Sequence, residues 1–245
     1  MKRFLLKLQY DGTHYHGWQV QANAVTVQEV LQDVLRSLTN GDVQSITGCS
    51  RTDSGVHANG FYCHFDTGSR ITATQFVRAL NAKLPEDIAV LHCREVDPQF
   101  HARYSAKGKQ YIYRFYHSAV HDPFRHAYAL RLDKPLSLSL LNSAAEQFIG
   151  THDFSAFCAT GSSVENTVRT ITECSFSHQD NETVFTVTGN GFLYNMVRIM
   201  VGTLLEVQNG KIPAEDISKI INGKCRTAAG KTAPPYALYL NEVYY

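Results

Sequence analysis

The sequence predicts an α+β fold built as two mixed halves, residues 1–105 and 106–245, that share one sheet. Three observations lead there. Runs of period-two alternation and runs of helical spacing follow one another as β-α-β-β-α-β through the first half. The second half repeats the mixed plan with longer insertions. Between them, Pro98–Gly108 turns polar and basic without becoming a low-complexity linker.

Each element has its own warrant. Arg3–Tyr10 alternates as a strand, and Asp11–Gln19 is a loop rich in Gly, His and aromatics that ends Gly17-Trp18-Gln19. Thr26-Val27-Gln28-Glu29 reads as a capping box, and Val30, Leu31, Val34, Leu35 and Leu38 continue a helical stripe. Strands Gln44–Gly48 and Gly60–Asp66 follow, then a helix over Thr74–Leu84 with Phe76, Val77, Leu80 and Leu84 on one face, stopped near Pro85. Ile88–Val96 and the aromatic run Gln110–Tyr116 are strands. Ser139–Ile149 is a helix closed by Gly150, with Leu140, Leu141, Ala144, Ala145 and Phe148 inward. Val168–His178 and Glu182–Gly189 form a hairpin around Gln179-Asp180-Asn181. Phe192–Val207 is a long apolar helix, Pro213–Ile221 a shorter one opened by proline, and Ala237–Val243 a last strand.

Composition narrows the class. At 245 residues, 44% hydrophobic and 18% charged, the chain has the make-up of a soluble globular protein. No apolar run approaches the ~20 residues that span a bilayer. Met1-Lys2-Arg3 leads straight into a strand with no signal-peptide core, so a cytoplasmic protein is expected. Six cysteines lack any CxxC pair and read as small core residues. Cys49, His57, Cys63 and His64 lie close in sequence, but their spacing matches no structural zinc pattern. Formal charge is +1, with ten basic and ten acidic residues in the first half and thirteen and twelve in the second. A nucleic-acid partner would therefore need basic side chains sorted onto one face, and Arg94, Arg103, Lys107, Lys109 and Arg114 cluster mid-chain.

The most informative stretch is Ser50-Arg51-Thr52-Asp53-Ser54-Gly55-Val56-His57-Ala58, a loop at a sheet edge. Ser-Gly after an acid is turn chemistry, because glycine bends where a side chain would clash. A carboxylate with an arginine two residues before it is placed to meet an anionic ligand. Asp53 is the candidate catalytic group. Asp-Ser-Gly after a strand is also an aspartic-protease pattern. There, apolar residues precede the acid, whereas here they are Arg51 and Thr52. A second acid from a partner chain would meet an arginine that opposes proton sharing.

Taken with Lys109-Gln110-Tyr111-Ile112-Tyr113, Phe192-Leu193-Tyr194-Asn195-Met196-Val197-Arg198 and Thr232-Ala233-Pro234-Pro235-Tyr236-Ala237-Leu238-Tyr239-Leu240, this block resembles the bacterial tRNA pseudouridine synthase A family. The resemblance runs from the first strand, through Gly17-Trp18-Gln19, to the last. Arg-Thr-Asp-Ser-Gly-Val-His is specific, whereas Lys-x-Tyr-x-Tyr alone is weak. Ala237 stands where members commonly have glycine, and Cys49 and Ser50 where they have alanine or glycine.

The resemblance implies isomerisation of uridine to pseudouridine at positions thirty-eight, thirty-nine and forty of the tRNA anticodon arm. It implies no cofactor, no metal, and a homodimer bridged by tRNA. It also implies a largely antiparallel sheet with helices on one side and an active-site cleft between the halves. Asp53 is then the catalytic carboxylate and Arg198 its guanidinium partner. Tyr111 packs on the target uracil, and Arg51 enters the RNA where a base has flipped out. Thr52, His57 and Leu193 support the site, His57 by bracing the loop. A non-catalytic RNA-binding protein of the same fold is the alternative.

Overall fold

Apolar residues alternate with Lys7 and Gln9 along strand β1 (Lys2–Tyr10), where Phe4, Leu6, Leu8 and Tyr10 are buried. The computed structural model describes residues 1–161 and 164–245. It divides into two units, Met1–Lys107 with Tyr239–Tyr245, and Gly108–Leu238.

In the first unit, α1 (Val27–Leu38) starts where Thr26 accepts the Glu29 N–H at 3.3 Å, and it buries Val27, Leu31 and Leu35. β2 (Thr47–Gly48) is only the end of the expected Gln44–Gly48 strand. The Gln44 carbonyl is taken by the Arg36 guanidinium at 2.8 Å, not by a neighbouring strand. β3 (His57–Thr67) starts three residues earlier than its alternation suggests and runs antiparallel to β1. α2 (Ala73–Asn81) opens with a complete capping box, in which Gln75 Oε1 accepts the Thr72 N–H at 2.8 Å and Thr72 Oγ1 accepts the Gln75 N–H. The sequence reading misses this box and begins the helix at Thr74. β4 (Ile88–Val96) pairs antiparallel with the other edge of β1. The rings of Phe4, Phe65 and Phe76 lie within 5.7 Å of one another and centre this unit's core.

In the second unit, β5 (Gly108–His117) is flanked by the short parallel strand β6 (Leu130–Leu132). α3 (Leu138–Glu146) ends three residues before the expected Ile149, because the next N–H groups reach back only three residues, as Phe148 does to Ala145. Leu141, Ala144, Ala145 and Phe148 are buried, but Leu140 is 37% exposed and not inward as expected. β7 (Gly150–Asp153) follows, then the hairpin β8 (Val168–Gln179) and β9 (Glu182–Gly189), turned by Asp180 at φ +52°. α4 (Met196–Gln208) begins four residues later than the expected Phe192, because Asn195 sits at φ +58° and cannot continue a right-handed helix. Pro213 heads a tight turn over Ala214–Asp216, and α5 (Ile217–Gly223) follows it. The strand order here is β5-β9-β8-β7, all antiparallel.

β10 (Leu238–Tyr244) rejoins the first unit, parallel to β3 through Tyr239↔His57 and Leu240↔Ala58, giving the order β4-β1-β3-β10. The fold is thus α+β and largely antiparallel. Among the described residues, no helix is long and apolar enough to cross a membrane.

One buried group on β3 makes stability pH-dependent. His64 Nδ1 accepts the Ala102 N–H at 3.1 Å. Burial, with Arg3 and His101 nearby and against the weaker pull of Asp66, lowers the His64 pKa from 6.5 to about 4. As pH falls below 6.5 the unfolded chain takes up a proton that the folded chain refuses, so stability drops towards pH 4 and is insensitive to this group above 6.5. His64→Asn is expected to flatten the dependence of the urea midpoint on pH across that window, and an unchanged slope would contradict the assignment.

Candidate active site

The Asp53 turn is closed by its own backbone. The Val56 N–H donates to the Asp53 carbonyl at 3.1 Å across Ser54 and Gly55, and Gly55 sits at φ +76°. A positive φ at the third position is what a type II turn requires, and glycine meets it without strain. The loop precedes β3, an inner strand of its sheet and not the expected edge. Asp53 is half-buried between a buried Thr52 and an exposed Ser54. Arg51 is exposed and makes no hydrogen bond or ion pair among the described residues.

Both flanks of the turn are held. Thr52 Oγ1 lies 2.9 Å from Tyr10 Oη, and its carbonyl accepts the Trp18 N–H at 3.2 Å. His57, 1% exposed, stacks on Tyr239 at 4.7 Å between ring centroids. Its Nδ1 lies 3.0 Å from the Gly12 N–H and 3.1 Å from Asp11 Oδ1. These contacts tie the first residue of β3 to Asp11 and Gly12.

The sequence reading assigns no role to Asp11–Gln19, yet this segment grips the turn along its length. The Gly55 N–H donates to the Tyr15 carbonyl at 3.2 Å, and the Tyr15 phenol donates to Asp87 at 2.6 Å. Burial and then Asp87 raise that phenol's pKa well above the ordinary tyrosine value. A Cβ on Gly12 would overlap the Val56 carbonyl, and one on Gly17 would overlap the Thr52 carbonyl. Gly17 also adopts φ +82°, which other residues rarely reach. Trp18, 3% exposed, stacks on Phe61 at 4.1 Å and anchors the segment in the core. Glycine, histidine and aromatic residues crowded into one loop were the signal available for this role.

The neighbouring candidates resolve simply. Cys49 is buried, its N–H donating to the Tyr62 carbonyl at 2.8 Å. Cys63 is wholly buried, which pushes its thiol pKa far up. Among the described residues, no group of three or more His, Cys, Asp or Glu could hold a metal ion. Against the expectation that Asp53-Ser54-Gly55 is the sole Asp-Thr/Ser-Gly triplet in the sequence, Asp66-Thr67-Gly68 is a second. Its carboxylate is engaged by Arg3 through Nε at 2.7 Å and Nη2 at 2.6 Å, and this pair holds the Asp66 pKa below the usual carboxylate range. Asp66 serves as a structural ion pair.

The second unit carries the other candidates. Tyr111, on β5, is 6% exposed, and its ring meets Phe192 edge-on at 5.0 Å. Leu193 is buried in the irregular segment before α4, not on a helix. Arg198 lies in the first turn of α4, where Nε donates to the Ala233 carbonyl at 2.8 Å and Nη1 to Asn195 Oδ1 at 2.6 Å. Two nitrogens of one planar group are thereby fixed, which a lysine cannot reproduce. Asn195 thus breaks the helix at its start and orients the arginine, and neither role was legible in advance.

The Ala233 carbonyl is placed by a close backbone approach. A Cβ on Gly202 would overlap the Lys231 carbonyl, and one on Gly230 would come within 2.6 Å of Thr203 backbone atoms. The Gly230 N–H donates to Thr203 Oγ1 at 2.9 Å. Gly202→Ala should lower the melting temperature by on the order of 10 °C, the shift for about 3 kcal/mol in a chain of this size. Gly223→Ala, with open space around it, should leave it within about 2 °C. Calorimetry of the two variants checks the contrast.

The profile of a family described as tRNA pseudouridine synthase matches residues 8–105 and 144–245. The tRNA pseudouridine synthase A of Acetivibrio thermocellus is 48% identical over 245 residues, covering 100% of both chains. That of Halalkalibacterium halodurans is 48% identical over 97% of this chain and 90% of its own. That of Ruminiclostridium cellulolyticum is 48% identical over the full length of both. Among solved structures, a Cbf5–Nop10–Gar1 complex gives a loose likeness, at 11% identity and a TM-score of 0.39 over 97% of this chain and 48% of that one. On these matches, carried along the whole sequence, the chain belongs to the tRNA pseudouridine synthase A family.

Proposed function

We propose that this chain isomerises uridine to pseudouridine in tRNA, at positions thirty-eight, thirty-nine and forty of the anticodon stem-loop, with Asp53 as the catalytic carboxylate. The observation that carries the reading is the mounting of Asp53 on a closed turn gripped on both flanks. A carboxylate held by backbone bonds at Thr52, Gly55 and Val56 meets a reacting sugar without first being ordered.

The reaction exchanges the C1′–N1 bond for a C1′–C5 bond. Asp53 either attacks C1′, expelling the uracil anion, or takes the sugar C2′ proton to begin elimination. Aspartate suits the first route because its ester to a sugar carbon is labile. The freed base turns, C5 bonds to C1′, and the carboxylate leaves again. C5 loses its proton and N1 gains one, so the products balance the substrate with no cofactor.

A stem base must leave the helix before it can react. Arg51, exposed beside Asp53, is the side chain we assign to the space the base vacates. Tyr111 supplies a ring face for the uracil, and Arg198 a fixed guanidinium for the anionic centre. Thr52 and His57 support the Asp53 turn, and Leu193 the segment that leads into α4. The protein acts as a cytoplasmic homodimer on the anticodon arm in this reading.

Asp53→Asn keeps the shape of the side chain and removes its charge. It should bind tRNA as well as the wild type, or slightly better, and form no pseudouridine in single-turnover assays. Pseudouridine from that variant would refute the mechanism. A wild-type protein that binds tRNA without modifying it would favour the non-catalytic RNA-binding alternative.

Tyr111→Phe should retain partial activity, whereas Tyr111→Ala should lose about 1–3 kcal/mol of stacking and nearly all turnover. Equal losses in the two variants would remove the stacking role.

A further inference from the structure

Tyr104 is 77% exposed, yet it is not loose. Its ring packs against His101 at 4.2 Å between centroids, tilted by 31°. His101 is fixed beneath it, because Nδ1 accepts the Arg103 N–H at 3.1 Å and the Tyr104 N–H at 3.2 Å. The His101 ring in turn meets buried His64 edge-on at 5.0 Å.

The charges around it are basic and open. The Arg103 guanidinium lies 5.8 Å from the Tyr104 ring centroid. On the sheet beside it, Leu5 is opposite His64 on one side and Arg94 on the other, so Arg94 and His64 share a face. Arg94 and Arg103 are exposed, and among the described residues their guanidinium groups make no hydrogen bond or ion pair. From Arg94 an open groove of about 410 Å³ continues past His92, Lys7, Tyr62 and Tyr245. Its one acid, Glu242, is matched by Lys7 at 2.7 Å. Tyr245 ties the groove to the Tyr104 turn by donating to the Ala102 carbonyl at 2.7 Å.

We infer that this face of the first unit is a second RNA contact, in which Tyr104 stacks on one unpaired base of the tRNA and Arg103 and Arg94 hold the phosphates on either side of it. The inference rests on the tRNA reading above. Its chemistry is that of single-strand recognition, where a ring face takes any base and cations follow the backbone. Cations here, with no unmatched acid in the groove, favour a polyanion over a second copy of a chain whose net charge is only +1.

The test uses the full-length protein and a tRNA transcript. Tyr104→Ala should weaken binding about ten- to a hundredfold, the loss of one stacked base, and Tyr104→Phe should stay within about threefold of the wild type. Arg94→Ala should weaken binding and reduce the salt dependence of the dissociation constant by about one phosphate contact. In Tyr104→Trp, the new indole should be quenched by tRNA, against a background in which native Trp18 is buried. Wild-type affinity in Tyr104→Ala, or an unquenched indole, would overturn the inference. So would a change in oligomeric state of Tyr104→Ala before RNA is added, which would give this face to a second copy. A wild type that makes pseudouridine while Tyr104→Ala binds normally sinks this inference alone. A wild type that shows Tyr104-dependent binding but no isomerisation sinks the functional reading alone.

Discussion

The site of the first unit depends on one constraint, the contact of two backbones with no side chain between them. Asp11–Gln19 lies against Thr52–Val56 so closely that Gly12 and Gly17 have no room for a Cβ. Protein interiors are close-packed, so such a contact has one arrangement and transmits no slack. Everything near Asp53 is referred to it. Trp18 anchors the gripping segment in the core, Tyr15 links it to Asp87 at the head of β4, and Thr52 is fixed from two sides. The Asp53 carbonyl closes the turn by accepting the Val56 N–H, so the residue is fixed through its backbone.

The second unit solves a similar problem the same way. Gly202 and Gly230 let the segment around Lys231 press onto α4, and that pressure puts the Ala233 carbonyl where Arg198 Nε can reach it. Asn195 holds another nitrogen from the left-handed residue that starts the helix. An arginine in the largely apolar first turns of a helix is costly to bury unless its donors are met, and Ala233 and Asn195 each accept from one nitrogen. The guanidinium plane is thus oriented from two sides.

The sequence made much of this legible, and the misses share a cause. Alternation located β1, β4, β8 and β9, and a helical stripe located α1, because those signals are local and repeat. Arg-Thr-Asp-Ser-Gly-Val-His located the Asp53 turn because Ser-Gly after an acid encodes a bend. The start of α4 was misplaced because Phe192–Asn195 is apolar enough to pass for helix, while the decisive fact is the backbone angle of Asn195. Leu140 was placed inward because helical spacing does not mark where a partner surface ends. Gly12, Gly17, Gly202 and Gly230 were unreadable as clamps, since a glycine's meaning lies in a segment distant in sequence. Asp66 shows the converse. Its triplet has the form of a catalytic acid, and only its pairing with Arg3 reveals a structural one.

The central claim is that the position of Asp53 is set from outside its own loop by the Gly17 contact. The most direct measurement is kcat for Gly17→Ala on tRNA, taken with its melting curve and tRNA affinity. The added methyl would displace the Thr52 carbonyl, and misplacing a reacting group by about 1 Å costs on the order of a hundredfold. The account requires a folded protein that binds tRNA within about threefold of the wild type and turns over at least ~100-fold more slowly. A folded Gly17→Ala protein with wild-type kcat would contradict it.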